Sequence, residues 1–272
     1  MNSAPDSTDA ALAAPEETSP APDAFAVGTA DAPGMSTTAP PVGIDADPPD
    51  PADEVLVDQA GRPLGPRALK TRRKILEATT ALLDEKPLRE MRVIDIARRI
   101  GSSPATFYQY FKDVEDVVLY LASQAKEATP QLVEIIAGDW DGPEGLERGK
   151  QLANLVIDHW EKYAPVLRAR NNASDEGHPA LREERMAAMM PLVEAFQQAI
   201  ERSQARAAAE TPGAGAAFEG GRVDPFAGAT TLASCLERTS MYHRFIEEAG
   251  SSREALVETT AVFLQGMLTS RR

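Results

Sequence analysis

The stretch that most constrains this chain runs from Val93 to Lys112, V-I-D-I-A-R-R-I-G-S-S-P-A-T-F-Y-Q-Y-F-K. Val93, Ile96, Ala97 and Ile100 recur at three- and four-residue spacing, so they share one face of a short helix. Gly101 comes next, the residue type that takes the left-handed conformation ending a helix. Ser102 or Ser103 can accept hydrogen bonds from the first amides of a second helix, and Pro104 suits its first turn. Phe107 and Phe111, four apart, turn both rings inward. Thr106, Tyr108, Gln109, Tyr110 and Lys112 are left facing outward or flanking, with no acid among them. A helix, a tight Gly-containing turn and a polar, aromatic second helix form a helix-turn-helix that presents itself to a major groove.

Charge singles out the same region. Residues 1–60 hold twelve Asp/Glu and no Lys or Arg, and residues 61–112 hold twelve Lys/Arg against five acids. Segments 1–60, 61–112 and 113–272 therefore carry −12, +7 and −9, within a total of −14. Only the middle one has the sign that attracts phosphate. Within it, G-R-P-L-G-P-R (61–67) reads as an extended basic arm, placing Arg62 and Arg67 for phosphate contact or minor-groove insertion. The expected DNA contacts are Arg62, Arg67, Ser103, Pro104, Ala105, Thr106, Tyr108, Gln109, Tyr110 and Lys112. Tyr108 and Lys112 are expected at phosphates, and Thr106 and Gln109 at base edges.

Residues 1–60, with ten prolines and scarcely any large apolar side chain, read as a disordered tail. It is either a solubilising tail or an acidic mimic competing with DNA for the arm. A first helix is expected from Arg67 to Glu85, and a second opening near Arg92. Asp113 caps a fourth that continues to Ile136 with a bend at Thr129-Pro130. Glu144–Tyr163 is helical, Pro165 breaks to a short piece ending at Arg170, and Asn171–Pro179 is turn-like. A helix over Pro179–Ala209, a Gly- and Ala-rich loop at 211–221 and two last helices, Asp224–Glu248 and Ser251–Ser270, complete the chain. The class is all-α: a three-helix DNA-binding domain at 61–112, then a larger helical domain at 113–272.

Helix-G-S-S-P-A-T-F-Y-Q-Y-F-K resembles the DNA-binding signature of TetR-family transcriptional regulators, and I-L-E-A-T-T-A-L-L-D-E-K-P-L (75–88) resembles that family's first helix and loop. L-E-R-T (236–239) is similar to the branch containing the mycobacterial repressor of ethionamide activation. The resemblance implies a homodimer paired through its last two helices, a palindromic operator, and a ligand pocket in the larger domain. Two departures matter. Arg92 stands where the family commonly has a Ser or Thr cap, at a cost of roughly 1 kcal/mol. Val114 and Glu115 stand where many relatives carry a phosphate-holding Lys. The ethionamide branch also has pocket-facing amides at positions matching Ala233 and Leu236, whose loss implies a more apolar ligand end.

No enzyme or cofactor chemistry is expected. His159, His178 and His243 lie on separate segments without ligands at metal spacing, and no serine sits in a G-x-S-x-G context. Cys235 reads as a buried small hydrophobe. No apolar run reaches the ~20 residues that cross a bilayer, which points to the cytoplasm. The expected ligand-facing side chains are His159, Trp160, Tyr163, Met189, Phe196, Leu236, Met241 and Phe245, with His159 almost the only polar one. Together these readings describe a transcriptional repressor released from its operator by a small apolar ligand. The rival is an architectural or division-associated DNA binder of the same fold that needs no ligand.

Overall fold

A computed structural model describes residues 56–210 and 223–269. The expected disorder of residues 1–55 and the expected loop at 211–221 lie outside these residues. Among the described residues, the chain is helical apart from one isolated antiparallel bridge, Val57 to Pro63. These residues form ten α-helices: α1 (Pro66–Glu85), α2 (Val93–Arg99), α3 (Pro104–Phe107), α4 (Val114–Ala125), α5 (Thr129–Ala137), α6 (Gly142–Asp175), α7 (Pro179–Glu210), α8 (Pro225–Met241), α9 (His243–Glu248) and α10 (Arg253–Leu268).

Two larger apolar cores organise them, with a small third cluster of Ala153, Ile157, Leu256 and Val257 between α6 and α10. The smaller of the two gathers Ile75, Leu82, Leu83, Met91, Ile96, Phe107, Phe111, Val117 and Val118 from α1–α4 and their loops, and α6 and α7 add Val166, Ala169, Ala173 and Leu181. The larger packs Leu132, Ile136, Trp140, Leu152, Trp160, Leu167, Phe196, Leu232 and Leu236 from α5–α8 with Leu264 and Leu268 of α10. Helix α6 serves both: Val166 belongs to one core and its neighbour Leu167 to the other. At the far end of α6, Gly149 lets α10 approach so closely that a Cβ there would lie 2.9 Å from the Ala261 Cα.

Several expected boundaries move. Residues 56–60, assigned to the tail by composition, form half of a small hairpin: Leu64 N–H donates to the Leu56 carbonyl at 2.8 Å. Helix α6 does not break at Pro165, and it carries Asn171–Asp175 as helix rather than turn. The proline removes one N–H from the ladder, but Trp160, Val166 and Leu167 are all nearly fully buried, and that packing on both sides outweighs the loss. The expected helix 224–248 splits at Tyr242. There the buried His243 donates Nδ1–H to the Ser240 carbonyl at 2.7 Å, at the junction of α8 and α9. The start of α2 is also firmer than the missing Ser/Thr cap implied, because Asp95 reaches back to accept the Arg92 N–H at 3.1 Å. Lys86 holds that carboxylate, keeping its pKa below the ordinary value.

Candidate nucleic-acid interface and ligand cavity

The turn between α2 and α3 is built from local hydrogen bonds. Gly101 takes φ +66, so Ser102 N–H can return to the Ala97 carbonyl at 2.9 Å. Ser103 caps α3, its Oγ accepting the Thr106 N–H at 3.3 Å, and Pro104 begins the helix. Phe107 and Phe111 are buried, and their rings join Tyr120 and Arg72, whose guanidinium lies 3.8 Å from the Tyr120 ring centre. Tyr108 is therefore turned outward and is 52% exposed. Ala105, Gln109 and Lys112 are exposed beside it, and the Lys112 ammonium lies 3.9 Å from the Asp113 carboxylate. Ser103 is exposed, while Pro104 and Thr106 are half-buried, with the Thr106 hydroxyl 3.2 Å from Ser103 Oγ. Tyr110 is half-buried against the smaller core, so it presents less to the outside than its neighbours.

The arm differs from its extended expectation. Asp58 accepts the N–H groups of Ala60 and Arg62 and pairs with the Arg62 guanidinium at 2.7 Å, closing a turn at Gly61, where φ is +76. These bonds hold the Asp58 carboxyl below its usual pKa, the Arg62 N–H first among them. The turn docks on the helix-turn-helix. Gln59 donates its N–H to the Gln109 carbonyl at 3.0 Å and its side-chain amide to the Tyr110 carbonyl at 3.3 Å. Arg62 thus stands beside α3, exposed but already paired, and Arg67 is exposed in the first turn of α1. Gln59 was not foreseen, since no local pattern reports a contact between residues fifty apart.

The larger domain holds a mainly apolar cavity of about 70 Å³ between α4 and α8. His159, Trp160, Met189, Phe196, Ala233 and Leu236 are among the residues that line it. Three expected members are elsewhere. Phe245 is 66% exposed on α9, while Tyr163 and Met241 pack against the larger core without lining the cavity. The cavity is also more polar at one end than the sequence implied. Arg170, only 4% exposed, lines it together with Lys126 and Glu237. Arg170 Nε and Nη2 donate to Asn171 Oδ1 at 3.0 and 2.9 Å, and Asn171 Nδ2 donates to Glu237 Oε1 at 2.9 Å. Arg185 of α7 stands 3.6 Å from the same carboxylate. Burial pushes the pKa of Arg170 down, and burial, then the Arg170 and Lys162 charges, push that of His159 to about 4. Cys235, expected inside, is an exposed free thiol.

An exposed polar α3 carried on a buried Phe pair is the geometry of a helix-turn-helix DNA-binding protein with a separate helical body behind it. Residues 75–121 match the model of the bacterial regulatory proteins of the tetR family, and residues 132–249 match the tetracyclin repressor-like C-terminal domain. The chain belongs to the TetR family of transcriptional regulators. No curated protein sequence matches it. Solved structures share the fold at low identity. Salmonella enterica GusR is 16% identical, with a TM-score of 0.52 over 74% of this chain and 96% of that one. NalD, the secondary repressor of the MexAB-OprM multidrug efflux pump in Pseudomonas aeruginosa, is 19% identical, with 0.51 over 75% and 96%. The fatty acid degradation regulator FadR from Bacillus halodurans is 15% identical, with 0.50 over 75% and 97%.

Among the described residues no helix is long and apolar enough to cross a membrane, and no group of three His, Cys, Asp or Glu could hold a metal.

Proposed function

We propose that the protein is a homodimeric cytoplasmic repressor that leaves a palindromic operator when a small, largely apolar ligand enters the cavity between α4 and α8. The observation that carries this reading is the cavity itself, apolar along Trp160, Met189, Phe196 and Leu236 and placed next to the helix that serves both cores. Ligand binding would favour a setting of α6 in which the two α3 helices no longer fit successive major grooves. Pairing through α8 to α10 is supported by Phe226, Tyr242, Phe245, Val262 and Phe263, large apolar side chains left exposed there. Ser103, Pro104, Ala105, Thr106, Tyr108, Gln109, Tyr110 and Lys112 form the groove face, and Arg62 and Arg67 flank it. The likeness of 236–239 to the ethionamide-repressor branch is supported by Glu237 standing at the cavity wall.

The cavity's size favours a second reading. About 70 Å³ is well below the several hundred that a drug-sized ligand fills, as a ligand-independent DNA binder would have it. Unbranched Met189 is the wall element able to move aside. Gel shifts on DNA upstream of the protein's own gene, with and without a panel of lipids and acyl-CoAs, decide between the two. Release by a member of the panel is expected, and Leu236→Trp should block it while DNA binding persists. Specific binding untouched by every member would favour the ligand-independent reading. Release of Leu236→Trp at the wild-type ligand concentration would remove Leu236 from the pocket.

A further inference from the structure

We propose that the cavity ligand is an amphiphile with a carboxylate head and that Arg170 receives that head, an inference that rests on the ligand-responsive reading above. A guanidinium buried to 4% exposure requires compensation, because a charge removed from water is stable only when paired. Arg170 is poorly supplied. Two of its donors converge on one neutral oxygen, Asn171 Oδ1, and among the described residues no carboxylate lies within hydrogen-bond distance. The nearest, Glu237, stands 3.9 Å from Nη2. It is already engaged by Asn171 Nδ2 at 2.9 Å and faces Arg185 at 3.6 Å. Arg170 nevertheless lines the cavity, so an anion placed there would meet the Nη1–Nη2 edge of the guanidinium, which Asn171 leaves partly open.

The rest of the lining agrees. Lys126 is a second cation at the cavity wall, its charge largely offset by Glu184 at 3.0 Å, which leaves Arg170 as the main cation there. His159 is neutral near pH 7, so it can donate one N–H without adding charge. A cationic head would face Arg170 and could turn only to Glu237 among the lining carboxylates, one of whose oxygens already accepts from Asn171 Nδ2 while the other faces Arg185. The wall opposite is hydrocarbon and aromatic, which suits an alkyl or aryl tail. A carboxylate on Arg170 would also compete with Asn171 Oδ1 for the guanidinium, and Asn171 is the residue whose Nδ2 links α6 to Glu237 of α8. Three residues of α6, Val166, Ala169 and Ala173, lie in the smaller core, so headgroup binding loosens one end of the strut that holds the DNA-binding unit.

The test is calorimetric titration of the full chain without DNA. The probes are hexanoate, octanoate and decanoate, the primary alcohols of equal length, and the matching alkyltrimethylammonium ions. The carboxylates should bind at least about tenfold more tightly than their alcohols, the increment of a charge-assisted hydrogen bond. The ammonium ions should bind least. Arg170→Gln should erase the acid-over-alcohol preference, and Glu237→Gln, which removes the competing anion, should widen it. Equal affinity of acids and alcohols for the wild type would overturn the headgroup assignment and leave the apolar-ligand reading standing. Tightest binding by the ammonium ions would overturn it in favour of Glu237. Failure of all three series to bind would count against the ligand-responsive reading itself. Should Arg170→Gln not fold, Glu237→Gln still decides, since an unchanged or reduced preference there contradicts the proposal.

Discussion

In the helix-turn-helix unit α2, α3 and α4 are bounded by local chemical markers: Asp95 folds back on Arg92, Gly101 turns the chain, Ser103 caps α3 and Asp113 caps α4. In the body, α6 runs through Pro165 and α7 through Pro191, and both continue as if the markers were absent. The first region is specified by bonds between residues three to five apart. In the second, α8 and α10 also begin at caps, Asp224 and Ser252, but the long α6 and α7 are specified by what they meet across the core. Local chemistry should therefore dominate mutational effects in the former, and burial and charge compensation in the latter.

The largest effect should come from attacking the core of the small unit, which is not local. Phe107 is fully buried under α3, and Phe107→Ala is expected to cost about 3–5 kcal/mol. Chemical denaturation with a DNA-binding assay reads it, and a loss below about 1 kcal/mol would mean that α3 is held by its caps alone. The body should respond most to pH. The His159 pKa lies at about 4, below its ordinary value, so the unfolded chain binds the proton more readily between about 6.5 and 4. Stability should fall as pH drops through that window, by up to about 3 kcal/mol, and His159→Gln should flatten the profile. An unflattened profile would place the titrating group elsewhere.

Tyr108→Ala tests the outer face alone. Operator affinity should fall roughly 10–100-fold while the unfolding midpoint stays put. Full affinity in the folded variant would take Tyr108 out of the interface. Lys112→Ala is the mildest of the set. It should weaken binding on every sequence alike and reduce the salt-dependence slope by about one unit. A slope identical to that of the wild type would show that Lys112 touches no phosphate.

The same contrast explains which features are legible in the sequence. The helix-turn-helix is readable residue by residue, because spacing and caps are written in adjacent positions. Arg170 is not, and the reason is specific. Val156, His159, Tyr163, Leu167 and Arg170 keep one three- and four-residue spacing, but ending the helix at Pro165 cuts that stripe before it reaches the arginine. Phe245 is misplaced because the split at Tyr242 buries His243 and leaves Phe245 on the exposed side of α9, and the exposure of Cys235 depends on which face of α8 the body covers. Gln59 needs the contact across fifty residues.

Val166 and Leu167 give α6 a mechanical meaning. A helix of 34 residues is about 50 Å long, so it behaves as a stiff beam with two loads applied at neighbouring points on different sides. Such a beam cannot pivot near those residues without one core yielding, yet a few degrees of tilt would carry its free ends through about 2 Å. Gly149, pressed against Ala261 near the opposite end, fixes how close α10 lies to that beam, and a side chain added there would push the two helices apart without touching cavity or DNA face.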